Sequence, residues 1–231
     1  MREIVFDTET TGLDPNTGDR ITELGCVEVI DCIPTGKTFH AYVNPQRSTP
    51  QEVVQITGLT DEFLADKPVF AEVAQQFIDF VGDAVMVAHN APFDRGFINM
   101  ELVRLGLEPY PEDRFKDTAR IAREKFPGSY VSLDALCKRF DISLETREKH
   151  GALIDSLLLA EVYLELTGGR TQTLDLSGQS STQSGRVEFP ARPKREKSLP
   201  DRVKEEERAA HAVFIDEMGS DALWKQLQSV N

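Results

Sequence analysis

Residues 152–167, ALIDSLLLAEVYLELT, set the tightest condition on the fold. This is the most apolar helix candidate in the chain, and it carries an acid. Leu158, Leu159 and Val162 follow Asp155 by three, four and seven residues, so all four share roughly one helical face. A carboxylate on an inward face is costly unless it is paired or metal-bound. The fold must therefore bring something to Asp155. Asp155, Glu161 and Glu165 also interrupt the run, which excludes a bilayer span.

A second anomaly lies at the start of the chain. Residues 2–6 read as a strand, and it runs straight into Asp7, Thr8, Glu9, Thr10, Thr11 and Gly12. Residues two apart on a strand face the same way, so Asp7 and Glu9 can converge at the strand's end. Two carboxylates about 4 Å apart repel by about 4 kcal/mol at an effective dielectric of 20. A divalent cation removes that cost. The triplet alone is weak, because acid-x-acid spacings recur by chance in an acidic chain. A solvated strand end is the plain alternative.

The rest of the pattern alternates strands with helices. Residues 21–30 and 38–43 read as strands, with Pro34 and Gly36 supplying the turn between them. Residues 44–68 are irregular, with TGLTDEFL opening a short helix. Residues 69–81 space Phe70, Val73 and Phe77 as a helix. A buried strand at 84–89 leads to a helix over 93–107. The stretch FKDTARIAREKF begins extended and turns helical near Thr118. Ser132 caps the helix SLDALCKRF, and Gly168-Gly169 ends the helix over 152–167. The order predicts an α/β domain with a mixed sheet flanked by helices.

After Gly169 the composition changes. Residues 177–186 read as flexible linker and 187–208 as a disordered charged stretch. Residues 209–228 regain Val213, Phe214, Ile215, Leu223, Trp224 and Leu227, too few to fold alone, so they await a partner. The domain expectation is 1–170 for the core, 171–208 for a linker and 209–231 for a partner-binding segment.

Charge adds a puzzle. The chain of 231 residues has 26 Lys and Arg against 39 Asp and Glu, a formal net charge of −13. Such a chain repels nucleic acid and anionic membrane at long range. Three cysteines, Cys26, Cys32 and Cys137, form no CxxC pair, which argues against a zinc site or a disulfide framework. The N-terminus lacks the apolar run of a signal peptide. A cytoplasmic location is the expectation.

Two further acids and several polar residues stand out. Asp94, in VAHNAPFD, follows the buried strand at the start of a helix; read alone it is a first-turn acid favoured by the helix dipole. Asn90 alone is a loop residue, and His89 beside it is a candidate for touching substrate. His150 lies five residues before Asp155, and five residues turn a helix by about 500°, which does not align the two. Gly151 places His150 on a loop instead, free to take a proton from a metal-bound water or simply exposed. His40 reads as a strand residue and His211 as a tail residue, with no role.

Taken together, DTETTGL, HNAPFD and HGALIDS resemble the three motifs of the DEDD exonucleases, in the branch with a histidine. The likeness covers about residues 2–169. DKPVFAEVAQQFIDFV, SLDALCKRF and HGALIDSLLLAEVYLELTGG resemble the epsilon family of proofreading subunits of bacterial DNA polymerase III. The resemblance implies a ribonuclease-H-like fold, with a flexible C-terminal tail, and removal of nucleotides from DNA 3′ ends with two Mg²⁺ or Mn²⁺ ions. It assigns Asp7 to both metals, Glu9 and Asp155 to the metal with the attacking water, Asp94 to the second metal, and His150 to the general base. It also places Thr10, Leu13, Glu52, Thr57, His89 and Asn90 near substrate. Thr57-Gly58 departs from the family's His-Gly, which weakens the case for Thr57.

The same resemblance implies partners. QTLDL, Gln172–Leu176, is similar to peptides that dock on a sliding clamp, and residues 209–231 to the segment that holds the polymerase subunit. Such tethers would supply the DNA affinity that a charge of −13 denies. Two alternatives stay open at this point: an exoribonuclease of the same class, and a non-catalytic subunit that stabilises the polymerase.

Overall fold

The computed structural model describes residues 1–144, 150–168 and 203–218. The chain divides into two compact units, Met1–Leu176 and Ser177–Asn231. The first is a five-stranded sheet in the order β3-β2-β1-β4-β5. Its strands are β1 (Arg2–Thr10), β2 (Ile21–Ile30), β3 (Ile33–Tyr42), β4 (Val85–Ala88) and β5 (Phe115–Asp117). β1 pairs antiparallel with β2 and parallel with β4, so the sheet is mixed, as the sequence order predicts.

The helices are α1 (Gln51–Thr57), α2 (Asp61–Ala65), α3 (Phe70–Val81), α4 (Ala91–Arg104), α5 (Thr118–Lys125), α6 (Leu133–Arg139) and α7 (Ala152–Thr167). Alternation along β1 divides the core. Ile4 and Phe6 face a cluster with Phe70, Phe77 and Val81 of α3 and Phe97, Ile98 and Leu102 of α4. Val5 faces the other way, toward Leu159, Ala160 and Tyr163 of α7. A third cluster joins Leu158, Val162 and Leu166 of α7 to Leu136 and Cys137 of α6 and Ala122 of α5. α7 is apolar nearly all round because it is covered from both sides, by the sheet and by α5 and α6. Each large side chain so buried contributes about 1.5–3 kcal/mol.

Several local expectations change. β1 does not stop at Phe6: its ladder with β2 runs on through Asp7↔Gly25 to Glu9↔Glu23, so the two acids lie within the strand. The turn after β2 is Asp31-Cys32, both at positive φ (51° and 66°), the backbone that a two-residue hairpin demands. Pro34 and Gly36 fall inside β3 instead, which begins at Ile33 and ends at Tyr42. An edge strand tolerates a proline because its N–H need not pair. Residues 44–68 are not wholly irregular: α1 precedes α2, whose N-cap Thr60 accepts from the Phe63 N–H.

In the second unit α8 (Glu205–Glu217) is helical. Glu205–Arg208, expected to be disordered, lie in this helix, whose first turn is rich in acids, Glu205 to Glu207. The Glu207 carboxylate accepts from the Lys204 N–H at 3.0 Å. Val213, Phe214 and Met218 are 59%, 60% and 51% exposed, an apolar set without cover. Among the described residues no helix is long and apolar enough to cross a membrane. The linker over 177–186 and the peptide Gln172–Leu176 lie outside the described residues.

Candidate active site

β4 is short, and its pairing with β1 stops at Val5↔Val87. Beyond that point the β1 edge needs another partner, since a buried N–H left unpaired costs about 1–3 kcal/mol. Asp94 supplies it. After β4 the chain turns through Asn90, at φ 70° and ψ 51°, and α4 starts at once with a proline in its first turn. Asp94 then reaches back, and its Oδ1 accepts from the Thr8 N–H at 3.0 Å and the Thr8 hydroxyl at 2.8 Å. Asp94 is 2% exposed.

α7 arrives from the other face. Asp155, 4% exposed, sits in its first turn. The helix approaches so closely because Gly25, the cross-strand partner of Asp7, has no side chain. A Cβ at Gly25 would lie 2.2 Å from the Ala152 carbonyl carbon and 2.3 Å from the Leu153 nitrogen. The Ser156 hydroxyl donates to the Gly25 carbonyl at 2.9 Å and fastens the contact. His150, just before the helix, is half exposed; its Nδ1 lies 3.3 Å from Asp155 Oδ2, and its N–H donates to Ile56 O at 3.3 Å. Glu9, His150 and Asp155 present ligand-type atoms all within 4.8 Å of one another.

The electrostatics centre on Asp7. Burial first, then the charges of Asp94, Glu9, Asp155 and Glu23, hold its carboxyl well above the usual range. Every one of those charges is negative. Burial likewise pushes Asp94 up to about 7, against the Thr8 hydrogen bonds that favour its anion. A cluster of this kind fits a hard divalent cation, which turns mutual repulsion into binding energy. The donors are oxygens plus one imidazole. Cys26 offers no thiolate: burial drives its thiol far up.

Comparison with known proteins identifies the family. Residues 4–163 match the protein family described as Exonuclease. A DNA polymerase III subunit epsilon from Rickettsia typhi is 44% identical over 225 residues, 94% of this chain and 97% of that one. The chain belongs to the epsilon family of exonucleases. The Escherichia coli epsilon subunit is 40% identical over 97% of each chain. Among solved structures, exonuclease X in complex with 5′ overhanging duplex DNA superposes with a TM-score of 0.57 at 29% identity. It covers 72% of this chain and 90% of its own. The nuclease domain of 3′hExo, a DEDDh family member bound to rAMP, shares the fold, with a TM-score of 0.63 at 19% identity, over 72% of this chain and 91% of that one.

In this epsilon-family exonuclease the residues expected near substrate are placed unevenly. Leu13 is 85% exposed on the loop after β1. Glu52 is exposed in the first turn of α1. Asn90 is exposed, and its N–H donates to Asp117 Oδ1 at 2.9 Å. His89 is partly buried, with Nδ1 2.9 Å from the Thr118 hydroxyl. Two hydroxyls are committed elsewhere: Thr10 donates to Gly12 O at 2.6 Å, and Thr57 donates to Val53 O at 3.1 Å while accepting from the Leu59 N–H.

Sequence reasoning passed over other residues. Glu23, 3% exposed, stands across the strand pair from Glu9. Its partner is His40, whose Nε2 lies 2.7 Å from Glu23 Oε1, so His40 is more than a strand residue. Only the β1–β2 register exposes Glu23 as a fifth acid beside Asp7. Thr8 and Gly25 were hidden in the same way.

Proposed function

We propose that this chain, a 3′–5′ exonuclease of the epsilon family, removes misincorporated nucleotides from DNA 3′ ends as the proofreading subunit of a replicative polymerase. The observation that carries the reading is the convergence of Glu9, Asp94 and Asp155 on Asp7, from one strand and two helices on opposite faces of the sheet. Asp7, Glu9, Asp94 and Asp155 would hold two divalent ions, Mg²⁺ or Mn²⁺. Such ions, when bound, stabilise the attacking and leaving oxygens of an in-line displacement.

The chain's own residues supply the rest. Asp94 fixes the β1 edge so that Asp7 and Glu9 keep their spacing. Asp155 is pressed toward Asp7 by the packing of α7 on Gly25. His150, half exposed beside Asp155, takes the proton of the attacking water as general base. Leu13, exposed at the rim, would lie against the terminal base, with Glu52, His89 and Asn90 bordering the same opening; Thr10 and Thr57 would contribute through backbone and shape, since their hydroxyls are engaged.

Residues 1–170 would form the nuclease, 171–208 the connection, and 209–231 the hold on the polymerase, with Gln172–Leu176 on the clamp. The exposed Val213, Phe214 and Met218 of α8 suit such a partner. Tethering at about millimolar effective concentration offsets the repulsion of DNA by a charge of −13.

The test is release of 3′ nucleotides from a mismatched primer, with Mg²⁺ or Mn²⁺ and with EDTA. Wild type should cleave only with metal, and Asp7→Ala with Glu9→Ala should lose cleavage while still binding polymerase. A clear preference for single-stranded RNA, or full activity in the double variant, refutes the reading.

A further inference from the structure

The stretch formed by α5, α6 and the loop between them is basic in an acidic chain. Residues 120–139 hold Arg120, Arg123, Lys125, Lys138 and Arg139 against only Glu124 and Asp134, in a chain of net charge −13. At the centre of this stretch Tyr130 is 90% exposed. Ser129, Tyr130, Ala135, Lys138 and Arg139 line a shallow groove of about 540 Å³. Lys138 and Arg139 are exposed, and neither enters an ion pair among the described residues. The Arg139 guanidinium lies 4.4 Å over the Phe126 ring.

One end of the groove lies near His89, which precedes the helix that carries Asp94. His89 Nδ1 lies 2.9 Å from the Thr118 hydroxyl, and the Val131 backbone, next to Tyr130, stands beside the same ring. The charge of Arg123 acts on the same ring. Arg123 and the Tyr130 end of the groove thus both lie near His89.

We propose that this groove holds the single-stranded DNA just upstream of the 3′-terminal nucleotide, with a base stacked on Tyr130 and phosphates against Lys138 and Arg139. The assignment rests on the exonuclease reading above. An exposed ring between cations is the combination that binds single strands without regard to sequence, which a proofreading enzyme requires. The net charge of −13 repels a phosphate backbone at long range, so the strand will follow local cations. A protein partner would call for an apolar face; here one ring stands between charges.

The experiment compares two substrates of the full chain with Mn²⁺: a labelled single-stranded oligodeoxynucleotide, and the p-nitrophenyl ester of thymidine 5′-monophosphate, which is too short to reach the groove. Tyr130→Ala should raise KM for the oligonucleotide about tenfold, the size of one stacked base, with kcat and ester hydrolysis unchanged. Tyr130→Phe should restore KM. Lys138→Glu should raise KM and reduce the dependence of log KM on log salt by about one phosphate contact. An unchanged KM in Tyr130→Ala and Lys138→Glu overturns the proposal, as does an equal loss on both substrates, which would mean damage to the fold. Wild-type protein inert toward both substrates would remove the exonuclease reading itself, and this proposal with it.

Discussion

Replacing Gly25 by alanine should separate the two halves of the active site. Gly25 is not at positive φ, so an alanine meets no backbone strain and the effect is one of space alone. The new Cβ would lie 2.2 Å from the Ala152 carbonyl carbon, and ordinary contact begins at 3.4 Å. Backbone atoms cannot rotate away, so the first turn of α7 must retreat by about 1.2 Å, the difference of those two distances. Asp155 and His150 move with it, away from Asp7 and Glu9. A displacement near 1 Å costs about 10²-fold in rate when reacting groups are held by the fold. The hydrogen bond from Ser156 to the Gly25 carbonyl, 2.9 Å long, is stretched past useful length. Overpacking of this kind destabilises by about 2 kcal/mol, a Tm loss of about 4–8 °C. The assay is single-turnover release of the 3′ nucleotide, beside a Mn²⁺ titration by calorimetry and a thermal melt. Wild-type rate and Mn²⁺ affinity in Gly25→Ala would refute the claim that this close approach builds the site.

Three other outcomes are expected. His150→Ala should lose about 10²- to 10⁴-fold in kcat with Mn²⁺ still bound, and an unchanged rate across neutral pH would remove it from the mechanism. Metal-free protein should lose stability as pH rises from about 4 to about 7, because Asp94 binds its proton more tightly folded, with a value of about 7, than unfolded at 3.8; Asp7 adds to the same slope, Mn²⁺ should remove it, and thermal melts of wild type and Asp94→Asn at pH 5 and 8 would show it. Lys116→Met leaves the buried Glu3, which now sits 2.5 Å from the Lys116 ammonium, with the Tyr163 hydroxyl but no cation, and should cost about 2–3 kcal/mol in urea unfolding, less than a fully buried pair because the Lys116 side chain is 43% exposed; Glu3→Gln in the same background should recover most of it.

What the sequence disclosed follows from which forces are local. α7 is legible because a long apolar run has no rival reading, and Asp155 within it announces a partner. α6 is legible through its cap, since Ser132 accepts from the Ala135 N–H; the cap of α5, Asp117 accepting from the Ala119 N–H, emerges only in the structure. The β2–β3 turn was hidden because Asp31 and Cys32 adopt positive φ without a glycine, while Pro34 and Gly36 pointed elsewhere. α1 starts at Pro50 with no side-chain cap, so nothing local marks it. Glu23 is the instructive miss. Its burial, its bond to His40 and its closeness to Asp7 all depend on the strand register, which is set by the whole sheet. The four motif acids could be found by spacing; the fifth could be found only by pairing.

The bonds from Thr8 to Asp94 bear on how proofreading can be lost. Asp94 finishes the backbone of β1 as well as facing Asp7, so a substitution there removes a girder along with the chemistry. Mutator strains that keep a sound polymerase complex should therefore seldom arise through Asp94.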